Sequence, residues 1–169
     1  MTKMLYNNII DGICMKENEK TRYFDSVIYL MEQTVVYSKI KGAQFFTQLC
    51  MGVTIDQFVA LDALYCNSDI CQRDLSKLIL KDRSNTGRIL TILEEKGFIT
   101  RAAETKGKRL VKKIYITDKG KELVEESIPK LRKAFFQVFE EVTDEEFDNL
   151  RNILNKLKTS LSKTTSIQI

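Results

Sequence analysis

The sequence predicts a mainly α-helical protein with one small β-hairpin, an α+β chain in which the strands are the minority. Three observations predict it. The 169 residues include only seven glycines and one proline, too few for a loop-rich or all-β chain. Apolar residues recur at three- and four-residue steps over long stretches, the period of a helix with one buried face. After Gly97 that period changes to two short strand-like runs around a polar, glycine-containing turn. Hydrophobic residues make up 43% of the chain, enough for a true core.

Residues 1 to about 18 are weakly patterned; Ile9, Ile10 and Ile13 can form one turn of amphipathic helix, or an arm across a partner subunit. From Glu19 to about Leu49, Phe24, Val27, Ile28, Met31, Val35 and Ile40 keep helical spacing. Gly42 is expected to bend or interrupt this helix, with Phe45, Phe46 and Leu49 resuming beyond it. The apolar surface exceeds what one helix on a small core needs, so part of it is expected to face another chain. Tyr23, Tyr29, Tyr37, Phe45 and Phe46 read as core or subunit packing.

Thr54 opens the next helix. Thr54 and Gln57 have the spacing at which each side chain bonds the other's backbone N–H. Ile55, Phe58, Leu61 and Leu64 form its buried stripe. After the break at Cys66-Asn67-Ser68, Asp69 and Gln72 repeat the capping spacing and open a short helix with Leu75, Leu78 and Ile79 inward. Lys81 and Asp82 form a tight turn into DRSNTGRILTILEEK, from Asp82 to Lys96. Asp82 or Ser84 can cap this helix, and Gly97 ends it. Its first half is polar and basic (Arg83, Ser84, Asn85, Thr86, Arg88); its second half carries Ile89, Leu90, Ile92 and Leu93.

Residues 98–102 and 110–116 read as strands joined by the basic tip ETKGKR, a β-hairpin. Thr117-Asp118-Lys119-Gly120 caps a helix running to about Glu141 through Leu123, Val124, Ile128, Leu131, Phe135, Val138 and Phe139. Pro129 lies inside it and is expected to kink it near Ser127. Thr143 and Glu146 form a third capping pair. The last helix carries Phe147, Leu150, Ile153, Leu154, Leu157 and Leu161, with residues 162–169 expected to fray.

Two short helices with a close turn, the second polar at its start and followed by a basic hairpin, are the sequence form of a winged helix-turn-helix. Arg, Ser, Asn and Thr match the donors and acceptors of base edges in the major groove. The charge distribution agrees. From Ile70 to Ile116 there are 12 Lys/Arg against five Asp/Glu, a balance of +7, so the remainder of this +4 chain carries −3. A basic middle between acidic ends is a footprint for a polyanion. Arg83, Ser84, Asn85, Thr86 and Arg88 are expected to contact bases or phosphates, Arg88 foremost. Arg73 and Lys77 are expected to hold phosphate beside them, and Lys106, Lys108 and Arg109 to reach phosphate or the minor groove from the hairpin tip.

Other classes fit poorly. The chain has no histidine, no glycine-rich phosphate loop and no GxSxG elbow, so no catalytic residue is expected. The pairs Glu94-Glu95 and Glu145-Glu146 are explained by solvation and capping. No apolar run approaches about 18 residues, so no membrane span is expected, and the N-terminus lacks a signal peptide's pattern. Cys14, Cys50, Cys66 and Cys71 lack metal-site or disulfide spacing, and are read as reduced thiols of a cytoplasmic protein with no metal or cofactor.

The stretch from Val53 to Leu161 resembles the MarR (multiple antibiotic resistance regulator) family of winged-helix transcription factors. The matching pieces are VTIDQFVALDAL, QRDLSKLI, TGRILTILEEKGFITR, IYITDKGKEL and VTDEEFDNLRNIL, the most telling being LEEKGFITR and ITDKG. The resemblance implies a homodimer whose first and last helices interlock and whose lobes bind successive major grooves of a pseudo-palindrome. It divides the chain into an N-terminal dimerisation region (1–52), a DNA-binding lobe (53–117) and C-terminal dimerisation helices (118–169). It implies a site for small aromatic acids or related compounds between the dimer helices and the DNA lobes, a regulator without a ligand being the alternative; repression is expected because a dimer on a promoter blocks polymerase by occupancy. Two positions depart from the family: Gly107 stands where the wing usually has Asp, two residues before the matching Arg109, and Gly87 stands where Ser or Thr usually precedes the matching Arg88. A redox-sensing branch of the family makes Cys14 or Cys50 an alternative switch. A winged-helix protein-interaction module without DNA binding is a further alternative.

Overall fold

The computed structural model describes residues 22–49, 52–67, 70–106 and 109–164. The chain forms two compact units, Met1–Gln44 and Phe45–Ile169. The expectations placed on Ile9, Ile10, Ile13, Cys14 and Cys50 lie outside the described residues.

In the first unit a 3-10 turn, Tyr23–Asp25, leads into helix α1, Val27–Gln48, whose last turn belongs to the second unit. The helix starts later than its apolar pattern suggests because Ser26 is extended (φ −80°, ψ 150°) and its hydroxyl accepts the Tyr29 N–H at 3.2 Å. The aromatic residues ahead of it fold back on it: the Tyr23 and Phe24 rings lie 5.7 and 4.7 Å from that of Tyr29. Gly42 does not interrupt α1. A single glycine costs a helix roughly 1 kcal/mol against alanine, too little to divide 22 residues. Val27, Leu30, Val35, Val36, Tyr37 and Ile40 are exposed on this chain.

The second unit continues with α2 (Ile55–Cys66), α3 (Gln72–Leu78), α4 (Arg83–Glu95), β1 (Ile99–Lys106), β2 (Arg109–Ile116), α5 (Asp118–Val138) and α6 (Asp144–Thr164). The capping pair at α2 forms as expected: Thr54 Oγ1 accepts from Gln57 N–H at 3.3 Å, and Gln57 Oε1 from Thr54 N–H at 3.1 Å. Leu61, Leu75, Leu90, Leu93, Ile99, Ile114 and Val124 are fully buried and bind α2, α3, α4, the hairpin and α5 into one core.

The α3 region departs from the sequence reading. Cys71 is its N-cap and makes no side-chain cap bond, so Gln72 is the first helical residue and not the third. Asp69, the other half of the expected Asp69–Gln72 capping pair, lies outside the described residues. Leu78 is 53% exposed and the inward positions are Leu75, Ser76 and Ile79. Leu75, Ser76 and Ile79 define the covered arc of the helix, and Leu78, about a quarter turn from its centre, falls outside it.

The strands are longer than expected, pairing antiparallel from Ile99↔Ile116 to Lys106↔Arg109, so most of the expected turn belongs to the ladder. A third short segment joins them: Ile114 N–H donates to the Ile70 carbonyl at 3.2 Å and Cys71 bridges Lys113. Gly120 crosses the hairpin closely; a Cβ there would lie 2.3 Å from the Phe98 carbonyl oxygen. Thr117 Oγ1 accepts from Gly120 N–H at 3.2 Å and donates to the Gly97 carbonyl at 2.8 Å, clamping α5 to the end of α4.

Helix α5 runs unbroken through Pro129 and ends at Val138, short of Glu141. The Phe45, Phe135, Phe139 and Phe147 rings form a chain with successive centroids 5.2, 6.2 and 5.7 Å apart, from the end of α1 to the start of α6. Glu146 and Thr143 cap α6 reciprocally, at 2.9 and 3.3 Å. Helix α6 continues to Thr164, past the expected fraying point, and none of its residues is buried.

Candidate nucleic-acid interface

Helix α4 is built from both of its faces. Asp82 caps it, its carboxylate accepting the Asn85 N–H at 2.8 Å. Ile89, Leu90 and Leu93 hold its back in the core. Gly97 (φ +74°) ends it in the left-handed conformation that glycine tolerates. What remains outside is the front of the first two turns: Arg83, Ser84 and Arg88 are exposed and Asn85 is half-buried.

Thr86 is a correction. It was expected on the reading face, but it is fully buried and its hydroxyl donates to the Asp82 carbonyl at 2.8 Å. Its position four residues before Leu90 and three before Ile89 sets it on the core face.

The basic residues divide into two groups. Some are tied into the frame. Lys81 pairs with Asp56 at 2.9 Å, fixing the turn before α4 against α2. Arg101 on β1 grips Glu94 on α4 through both Nε (2.9 Å) and Nη2, and reaches Thr91 Oγ1 at 3.5 Å. Lys113 pairs with Glu104 at 3.1 Å, a carboxylate that Tyr115 also holds by its hydroxyl. Lys119 donates to the Lys96 carbonyl at 2.8 Å and lies 4.9 Å over the Phe98 ring. The others project to solvent: among the described residues Lys77, Arg83 and Arg88 form no ion pair, and Arg73 has only its neighbour Asp74 at 3.7 Å, both well exposed. Arg73 and Lys77 on α3 and Arg83 and Arg88 on α4 thus leave uncompensated positive charge at the front of the helix pair.

Protonation equilibria follow the frame. The bonds from Arg101 hold the Glu94 carboxyl below its ordinary value. The Tyr115 hydroxyl, and then Lys113, do the same for Glu104. Tyr65 on α2 donates to Glu125 on α5 at 2.8 Å, and that bond raises the phenol. These groups stiffen joints between elements and are not arranged around a cavity.

Two residues that position α4 carry no sequence signal of their own. Arg101 sits in a strand-like run, and only the hairpin's docking turns it toward α4. Gln72 was read as a cap; its amide Nε2 instead donates to the Arg83 carbonyl at 2.8 Å, in space left by the missing side chain of Gly87. At the hairpin tip, Lys106 and Arg109 occupy the last paired positions of the ladder, and Gly107 and Lys108 lie outside the described residues. Among the described residues Cys66 is an exposed free thiol, and Cys71 is free with its Sγ 3.0 Å from Asp74 Oδ2. No group of three metal-binding side chains occurs among the described residues, and no described helix is long and apolar enough to cross a membrane.

Comparison with known proteins places this geometry. Residues 53–111, from the start of α2 into β2, match the model of the MarR family. The chain is 26% identical over 154 residues to the uncharacterized HTH-type transcriptional regulator YdgJ of Bacillus subtilis (strain 168), covering 91% of this chain and 86% of that one. It is 29% identical over 114 residues to the transcriptional repressor MprA of Escherichia coli (strain K12), covering 66% of this chain and 64% of that one. Its fold is that of MepR from S. aureus in the crystal structure of its DNA complex, with a TM-score of 0.68, 24% identity, and coverage of 80% of this chain and 98% of that one. Residues 53–111 of the chain thus match the MarR family, and the chain is similar to proteins named as transcriptional regulators.

Proposed function

We propose that the chain is a homodimeric repressor that occupies a pseudo-palindromic operator, with α4 in the major groove. The single observation behind this reading is the division of α4: a back locked into the core by Ile89, Leu90 and Leu93, and a front presenting the side chains of Arg83, Ser84 and Arg88 to solvent, with Arg83 and Arg88 in no ion pair among the described residues. Arg88 is the foremost candidate for base contact, since a guanidinium can bond both acceptors of a guanine edge. Arg73 and Lys77 would hold backbone phosphate, and Lys106, Lys108 and Arg109 would do so from the wing. Asn85 would contribute at the margin, and Thr86 supports the helix from within.

Dimerisation is supported by the uncovered apolar residues of α1 and, separately, of α6, each of which a second copy would bury. In this reading residues 1–52 and 118–169 make the dimer and residues 53–117 the reading lobe. Repression would follow from occupancy, since a dimer seated on a promoter excludes polymerase. Release by a small aromatic ligand follows from the family resemblance; such a ligand acts only by favouring a lobe spacing that cannot bind DNA.

The test is fluorescence anisotropy with the duplex upstream of the protein's own gene, a scrambled duplex, and a salt series. Repression by this mechanism requires tight, competitor-resistant binding to the first duplex with a steep loss of affinity as salt rises, because each neutralised phosphate releases counterion. Equal weak binding to both duplexes sinks autoregulation through this site. Adding a panel of aromatic acids to the same assay tests release.

A further inference from the structure

Gln72 opens α3, but its side chain serves α4. Its amide Nε2 donates to the carbonyl of Arg83, the first residue of α4, at 2.8 Å. It can do so because residue 87, one helical turn on, has no side chain. A Cβ built on Gly87 would lie 3.1 Å from Gln72 Nε2 and 4.0 Å from its amide carbon. The glycine does not serve a special backbone conformation, since it is not among the glycines with positive φ. Its effect is steric: it leaves a notch on α4 between Arg83 and Arg88, and Gln72 lies in that notch.

We infer that Gln72, seated in the notch left by Gly87, is a positioning residue for DNA reading that fixes the first turn of α4 and so helps set sequence discrimination. The inference rests on the proposed role of α4 in the major groove. Arg83 and Arg88 flank the notch on the exposed side, so a shift of that turn moves both guanidinium groups relative to the bases. Base contacts require close alignment, whereas phosphate attraction tolerates displacement. Loss of the Gln72 bond should therefore reduce the preference for the cognate duplex and leave the salt dependence intact.

Three full-length variants test it: Gln72→Met, which keeps length and removes the donor; Gly87→Ala, which fills the notch; and the double variant. The probe is the duplex that the wild-type protein enriches from a randomised pool, with a scrambled duplex beside it. Gln72→Met is expected to weaken cognate binding between about twofold and tenfold, the range of one net hydrogen bond, with little change on the scrambled duplex. In Gly87→Ala the new Cβ would stand 3.1 Å from Gln72 Nε2, so the amide must give way by a few tenths of an ångström, and this variant should lose a similar part of the preference. The double variant should be no worse than the weaker single one, because both act on one contact. In a 15N spectrum without DNA, the Gln72 side-chain amide should exchange slowly in the wild type and fast in Gly87→Ala. An unchanged cognate-to-scrambled ratio in folded Gln72→Met, additive losses in the double variant, or an amide that exchanges equally fast in both proteins would each overturn the inference. If the wild type enriches no sequence at all, the major-groove reading itself fails, and the Gln72 role falls with it.

Discussion

Helices α4 and α6 make an instructive pair. Both carry an apolar face at helical spacing and both are capped by a short side chain at their start. In α4 that face is covered: Leu90 and Leu93 have no exposed surface at all. In α6 nothing is buried, and Leu150, Ile153, Leu154 and Leu161 are 41–59% exposed. The same sequence pattern thus has two outcomes. One helix finds its partner surface within the chain and becomes a rigid mount for polar residues. The other keeps its apolar face outward, the state expected of a surface that a second chain completes.

The comparison can be broken most forcefully at the covered face. Leu90→Ala removes a fully buried side chain and should cost roughly 2–5 kcal/mol. It should lower the urea midpoint sharply and take DNA binding with it. A stable Leu90→Ala protein would mean that α4 is not mounted as described. At the uncovered face, Ile153→Glu should leave the secondary structure and the lobe intact while converting a dimer to a monomer in sedimentation. A monomeric wild type, or a dimer indifferent to this change, would remove the contrast between the two helices.

Smaller changes sharpen the division within α4. Arg88→Ala touches only the exposed front, so it should cost roughly 1–3 kcal/mol of cognate binding with no change in melting temperature. Unchanged affinity would remove Arg88 from the reading face. The smallest effect lies at the Arg101–Glu94 joint. The Glu94 carboxyl is held below its ordinary value of 4.5, so its contribution to stability is fully present above that value and is lost as pH falls through the lower, folded one. Urea midpoints measured on acidification below about pH 5 should therefore fall less steeply in Glu94→Gln than in the wild type. The difference at neutral pH should be under about 1 kcal/mol, because the pair is partly solvated. Parallel curves for the two proteins would show that the joint carries no pH dependence.

The legibility of the chain follows the locality of the forces. Asp82 before α4, Thr54 before α2, Thr117 before α5 and Thr143 before α6 could be read because a cap bonds a backbone N–H a few residues away. Gly97 could be read for the same reason. Leu78, Thr86 and Gln72 could not be read reliably, because their environments are made by other elements. Leu78 has the right residue type and nothing to pack against. Thr86 is polar but faces the core, satisfied by a carbonyl one turn back. Gln72 had cap spacing with Asp69, but Cys71 took the cap position and left the amide for α4.

Sequence alone determined the order of elements, the basic middle of the chain, the resemblance to the MarR family and the helix proposed to read DNA, since periodicity, capping and charge are properties of neighbouring residues. Tertiary structure decided which face of each helix is covered, which cations are tied into the frame and which are left exposed, and that the first turn of α4 is braced by a glutamine from the preceding helix. Those outcomes depend on distances between residues far apart in the chain, such as Arg101 with Glu94 and Gln72 with Arg83, and packing alone sets those distances.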